Sequence, residues 1–274
     1  DLSGWDVSRV TDMSNMFALA GSFNADLSGW NVSSVTDMSQ MFTNASSFNG
    51  DLSNWDVSSV TDMRNMFINA GSFNGDISNW DVSSVTDMSR MFSNADSFNG
   101  DLSDWNVSSV TDMSGMFSYA DSFNGDLSGW DVSNVTIMGT MFLNTGTFNR
   151  DLSDWDVSSV INMVRMFSDA QAFNQDIRNW DVSNVISMIG MFQGASSFDQ
   201  NLGDWNVENV IVFDNPGVDF LGNVRLSTAN YDSLLVGWSK LNLQSGISLT
   251  ANKAHFTNVA EGARRSIIEN YNWQ

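Results

Sequence analysis

Cysteine is absent from the 274 residues, and the chain has one histidine, His255, and one proline, Pro216. The first absence excludes disulfides, thiolate zinc sites and a thiol nucleophile. A single histidine leaves the many serines without a catalytic base, and His255 reads as an ordinary surface or cap residue. No stretch approaches 18 consecutive apolar residues, so no membrane insertion is expected. Basic residues are scarce, 11 against 32 acidic ones. The first 200 residues hold 25 Asp, 6 Arg and no Glu, a charge of −19 out of −21 overall. Such a body is a poor partner for nucleic acid or an anionic membrane. It suits solubility, a basic partner or divalent cations. Acidity on this scale often signals disorder, but 42% hydrophobic content with 11 Trp and 19 Phe argues for a folded core. The chain has no initiating Met and no signal peptide, and it opens in register with its own repeat. We expect a processed product or a segment of something longer.

What is present is one sentence written many times. "DLSGWDVSRVTDMSNMFALAGSFNA" fills 1–25 and "DLSGWNVSSVTDMSQMFTNASSFNG" fills 26–50. Eight full copies start at Asp1, Asp26, Asp51, Asp76, Asp101, Asp126, Asp151 and Asp176, and a ninth begins at Asn201 and decays after Val212. A fixed period of this size predicts a solenoid with one coil per repeat. Within a copy the apolar positions Leu2, Trp5, Val7, Val10, Met13, Met16, Phe17, Ala20 and Phe23 point inward. Trp5–Asp6–Val7–Ser8 alternates, which predicts a short strand. Met13, Met16 and Phe17 fall at i, i+3 and i+4, which predicts a short helix with Thr11 as N-cap and Asp12 at its positive end. Nine strands at ~4.8 Å spacing would build a parallel sheet roughly 40 Å long. Gly50, Gly75, Gly100 and Gly125 mark a return corner, where a turn can use positive φ. One coil alone buries too little apolar surface to offset the entropy of ordering it, so stacking must complete the burial.

These residues carry a resemblance. The frame Leu2-x-x-Trp5-x-Val7-x-x-Val10-x-x-Met13-x-x-Met16-Phe17-x-x-Ala20 resembles the BspA-like leucine-rich repeat of bacterial surface proteins. "W-D-V-S-x-V-T-D-M-S-x-M-F-x-x-A-x-x-F-N-x-D" is more closely similar to the mycoplasma-type surface lipoprotein repeat, from residue 1 to about 212. The segment "NYDSLLVGWSKLNLQSGISL…ARRSIIENYNW" resembles the piece that often closes such arrays. The resemblance implies an extracellular, surface-displayed interaction protein and supplies no catalytic residues. The expected fold is an α/β solenoid: a leucine-rich-repeat-like right-handed coil with one short parallel β-strand and one short helix per 25-residue repeat, closed by a helical C-terminal cap. Residues 1–212 form the solenoid and residues 213–274 the capping segment.

From the sixth copy the pattern drifts. Ile161, Ile186 and Ile211 replace Thr at position 11, and Ile137, Asn162, Ser187 and Val212 replace Asp at position 12. Gly139, Val164 and Ile189 appear at position 14. Something dry should cover them, and the expected cover is the chain's own tail. Residues 228–240 read as an amphipathic helix with Tyr231, Leu234, Leu235 and Trp238 on one face. A second helix runs from Asn258, in capping-box spacing with Glu261, to about Asn270, with Ala263, Ile267, Ile268 and Tyr271 inward. The chain is then a monomer; the alternative is a dimer through repeats 6–9.

A regular array turns each repeat position into a column along its surface. Columns 4, 6 and 8 flank the inward Trp and Val on the expected sheet face. The candidate ligand-binding residues are Asp56, Asp81, Asp104, Asp131, Asp154, Asp156 and Asp181, an acidic face for a protein or glycan on another cell surface or matrix. The competing reading is that these side chains serve their own turns. Calcium would relieve a column of carboxylates, and oxygen ligands suit it. However, no D-x-[DN]-x-[DN]-G loop is present, and no cofactor or metal site is expected. The Met13/Met16 pairs and the Trp column read as core. The Thr11 and Ser8 columns raise ice binding as a minor alternative, against which the neighbouring Asp columns count. No enzyme is expected, because copies one to eight contain no break at which a site would be built. The corner "GSFNGD" is no phosphate loop. The leading expectation is a secreted or cell-surface bacterial adhesion or ligand-binding protein. The alternative is a passive spacer, stiffened by calcium or not, which the near-identity of the early copies favours.

Overall fold

The computed structural model describes Leu2 and residues 4–274; Asp1, where the first copy starts, and Ser3 lie outside the described residues. The repeats stack in register as 25-residue coils, joined by backbone hydrogen bonds between successive copies from Met13–Asp37 to Met188–Val212. Among the described residues the coils contain neither strand nor helix. Parallel pairing is confined to isolated bridges at position 12, from Asp12 with Asp37 to Ser187 with Val212. Helix among the described residues occurs only past the array, in α1 (Thr228–Trp238) and α2 (Asn258–Tyr271). The expected α/β solenoid, with a strand and a helix in each repeat, is therefore wrong, and the described residues form no sheet face.

The reason lies in where the amides go. In the third coil aspartates open three turns. The Asp51, Asp56 and Asp62 carboxylates accept the amides of Ser53, Ser58 and Arg64, two residues on. Those amides are lost to any strand ladder, the usual result when Asp bonds its own backbone. The Trp55 and Val60 amides close turns onto the Leu52 and Val57 carbonyls at 3.1 and 2.9 Å. The alternation of Trp5–Ser8 thus reflects successive turns rather than a strand.

Along residues 63–70 the amides alternate in direction. Met63, Asn65, Phe67 and Asn69 donate to Asp87, Ser89, Met91 and Ser93 of the next coil at 2.8–3.0 Å. Met66, Ile68 and Ala70 donate three residues back within their own coil. Asn65 and Asn69 adopt φ of 57° and 59°, which stops any helix after one turn. The i, i+3, i+4 spacing of Met63, Met66 and Phe67 is the spacing of consecutive turns. The sequence signal for this is position 19, where Asn44, Asn69, Asn94, Asn144 and Gly194 tolerate left-handed backbone. The corner glycines do not have the positive φ expected of them. A Cβ on Gly50 would instead crowd the Phe48 ring at 3.0 Å and the Ala25 carbonyl at 3.3 Å.

The core follows the expected inward positions. In the third coil Leu52, Trp55, Val57, Val60, Met63, Met66, Phe67, Ala70 and Phe73 are all buried. Three aromatic columns run through the stack: Phe42–Phe67, Phe48–Phe73 and Trp55–Trp80 centroids lie 5.4, 6.0 and 6.4 Å apart with nearly parallel rings. Among the described residues no backbone bond joins coils over positions 2–10. There the indole takes over: Trp55 Nε1 donates to the Leu27 carbonyl of the preceding coil at 3.1 Å, and Trp80 Nε1 to Leu52 at 3.0 Å. At the far corner the Asn74 amide donates to Asn49 Oδ1 at 2.9 Å, and Asn99 and Asn124 continue this ladder.

The backbone ladder runs on beyond Val212. Phe192 donates to Phe220 and Gly194 to Gly222, four residues further than the repeat offset, so the ninth coil carries its extra residues in the loop 214–219. Asp214 closes this coil, its Oδ1 accepting the Phe220 amide at 2.7 Å and its Oδ2 accepting from the Thr250 amide and Ser248 hydroxyl. α1 then replaces a tenth coil. Trp238 Nε1 donates to the Leu202 carbonyl at 3.0 Å, and its ring stacks on Phe213 at 5.3 Å. A Cβ on Gly237 would lie 1.9 Å from the Gly203 carbonyl, so α1 can sit this close only on glycine. The cap of α2 is Thr257, not Asn258, and Ile268 is 36% exposed rather than inward. The tail covers the open end of the ninth coil, where the core demands it, and not the flank. Ile161, Ile186 and Ile211 remain 44%, 45% and 60% exposed, against the expectation that the tail would cover them.

Two substitutions test this account by chemical denaturation. Trp105→Phe keeps an aromatic ring but orphans the buried Ile77 carbonyl that its indole caps, and is expected to cost about 1–3 kcal/mol. The same change at Trp5, 55% exposed in the first coil, should cost less. Asn94→Ala at φ 55° is expected to cost about 1–2 kcal/mol, and Asn94→Gly much less.

Candidate functional site

The seven aspartates singled out in the sequence fall on the turn side of the stack, in columns 4 and 6. Asp56 Oδ1 accepts the Ser58 amide at 3.1 Å and the Ser58 hydroxyl at 2.6 Å. Asp131 is held by Ser133 in the same way. Asp81, Asp156 and Asp181 accept the amides of Ser83, Ser158 and Ser183 at 3.0–3.1 Å. Asp104 and Asp154 are exposed at column 4, beside Trp105 and Trp155. The turns therefore give each column-6 carboxylate the same orientation. In every case it is Oδ1 that is bonded, and Oδ2 has no partner among the described residues.

Column 6 also separates shape from charge. Asn31, Asn106 and Asn206 accept the amides of Ser33, Ser108 and Glu208 at 3.1–3.2 Å, the bond made by Asp elsewhere. The turn needs an acceptor; it does not need a charge. The hydroxyl and then the amide of the serine two residues on hold the Asp81, Asp131 and Asp181 carboxyls below the ordinary carboxylate range. Asp62, in column 12, goes the other way. Burial raises it, and the neighbouring Asp87 and Asp37 charges add to that, against the Arg64 amide and guanidinium.

Other columns are more fully occupied by the fold. The Thr36, Thr61, Thr86, Thr111 and Thr136 hydroxyls donate to the carbonyl of the preceding Thr at 3.1–3.2 Å. Trp30 to Trp205 are at most 4% exposed, so no sugar can stack on them. Among the described residues no group of three or more His, Asp or Glu is placed to hold a metal ion. Among the described residues no helix is long and apolar enough to cross a membrane.

The repetition of one turn-built coil is also what a comparison with known families finds. A family described as "Mycoplasma protein of unknown function, DUF285" matches residues 1–70, 50–145 and 126–216. The chain belongs to the DUF285 family. The three overlapping matches run through the coils and stop short of α1 and α2, so the DUF285 unit here is the repeat and not the cap. By its description the family is bacterial, and it corresponds to the mycoplasma-type repeat rather than to leucine-rich repeats specifically. No curated protein matches the chain. Sequence reasoning missed one surface feature of this DUF285 array, the exposed isoleucine column at 161, 186 and 211. Its signal is the same drift at position 11 that predicts a covered face.

Depressed carboxyls stabilise the fold only while ionised. Their contribution is present above the unfolded value of about 3.9 and is lost as pH falls through the lower folded value. Melting temperature should therefore fall as pH drops below about 4. A triple Asp81/Asp131/Asp181→Asn variant should show a flatter acid limb, and thermal melts across pH 2–7 compare the two.

Proposed function

We propose that the DUF285 array is a non-catalytic binding module displayed outside a bacterial cell, where its rows of carboxylates engage a protein or glycan on another cell or matrix. One observation carries this reading: each column-6 carboxylate is fixed through Oδ1 by its own turn, with Oδ2 free and the charge surplus to the turn's needs. Fixed, repeated groups bind without first being ordered, and many weak contacts add along the array. The favoured partner presents cationic or multiply hydrogen-bonding groups. The Leu-x-x-Trp-x-Val frame adds a sequence kinship with BspA-like repeats of surface proteins, without their strand.

A second reading, a passive spacer, is favoured by the identity of "VSSVTDM" at 32–38, 57–63, 82–88 and 107–113. Copies tailored to a ligand would differ more. In neither reading does calcium or ice need to bind.

The test is binding of the purified chain to cell surfaces, matrix proteins and glycans, beside an Asp56/Asp81/Asp131/Asp156→Asn variant. The bonding of Asn31 and Asn106 predicts that this variant folds as the parent does. Four surface charges at about 0.3–0.5 kcal/mol each predict a loss of roughly tenfold. Equal binding by both chains would move the site elsewhere, and binding by neither would leave the spacer.

A further inference from the structure

The flank of coils 7–9 holds an open groove that the cap does not fill. One wall is Ile161, Ile186 and Ile211; the other is Ser159, Asn184 and Asn209, with Gln244 at the cap end. The polar wall is rigid. Asn184 and Asn209 Nδ2 donate to the Ser158 and Ser183 carbonyls at 2.8 and 2.7 Å, and Gln244 Nε2 to the Glu208 carbonyl at 2.9 Å. Nothing within the coil requires isoleucine here. The backbone bond between these positions, Ile186 amide to Ile161 carbonyl at 2.9 Å, is also made where the residue is Thr. In the first six coils the residue here is the polar Thr, and from the second to the sixth it makes a second bond through its hydroxyl. The isoleucines give up that bond and expose three large apolar side chains in a row.

The same coils lose charge in the neighbouring column. Asp12, Asp37, Asp62, Asp87 and Asp112 give way to Ile137, Asn162, Ser187 and Val212. On a chain of net charge −21, this flank carries no carboxylate in column 11 or column 12, whereas the first five coils carry an aspartate in column 12. That selects the occupant. A basic partner would be drawn to the aspartate rows instead. Two copies of the chain repel wherever those rows meet, but can approach here without apposing carboxylates. We infer that the groove is the contact of a two-fold dimer of this chain, with Ile186 near the axis and Ile161 of one copy facing Ile211 of the other. An isologous contact of this kind is the commonest closed assembly. The strip spans only three or four coils, which places it among small, transient interfaces.

Sedimentation velocity of the full chain over roughly two decades of concentration tests this, because a dimer populates by mass action. Added salt should strengthen the dimer, since it screens repulsion between like-charged copies while leaving the apolar contact. A triple Ile161/Ile186/Ile211→Thr variant restores the residue of the first six coils and should fold and melt like the parent while staying monomeric. The Asp56/Asp81/Asp131/Asp156→Asn variant should dimerise at least as well as the parent, which separates this contact from the ligand-binding rows. A parent chain that is monomeric at every concentration and salt overturns the proposal. So does a threonine variant that dimerises equally. A monomeric parent that captures another protein through the isoleucines would overturn it in favour of a different occupant.

Discussion

A coil of 25 residues with no helix and no strand has too few bonds of its own to hold a shape, and its cohesion comes from amides that cross to the neighbouring coil. Met63, Asn65, Phe67 and Asn69 send theirs one way along the stack. The Trp indoles, the Thr amides and hydroxyls, and the Asn corner send theirs the other way. Each coil is thus complete only between two others, the nearest-neighbour condition of repeat proteins. It accounts for the absence of insertions through eight copies, since one extra residue would shift every crossing bond at once. It also accounts for the elaborate ending. The ninth coil finds a substitute for a tenth in Trp238, which gives the indole bond, while Asp214 holds the coil's own loop by accepting the Phe220 amide.

The aspartates work at two levels. At the first, their Oδ1 atoms take amides out of the backbone ladder and turn the chain, three times in the third coil. At the second they charge the surface, and Asn31, Asn106 and Asn206 show that this is separable from turning. Repulsion between solvated neighbours in a column is weak, so the array tolerates it. Any binding role belongs to the second level, because only there does Asp differ from Asn.

Much of the fold was legible. The inward set from Leu to Phe, the Met pairs and the Trp column rest on residue type, and burial follows them. The tail helices were legible too, because Tyr231, Leu234, Leu235 and Trp238 make a stripe that local periodicity reveals. The secondary structure of the coil was not. Period-two alternation at Trp5–Ser8 suits a strand and a pair of turns alike, and i, i+3, i+4 spacing suits a helix and consecutive turns alike. The deciding residues were the aspartates that bond two residues ahead and those at position 19, Asn or Gly in five of eight copies. The candidate aspartates could be named from the sequence, but not which oxygen of each stays free.

The period, the sorting of side chains into core and surface, the acidity and the helical tail follow from the sequence alone, because each depends on what a residue is and how far it lies from its like. The path of the coil and the partner of each amide depend on what the next coil offers 25 residues away. Only tertiary structure decides such non-local bonds. It also decided the direction of the tail. The open core of the ninth coil drew α1 onto the end of the stack, and the isoleucine flank was left bare.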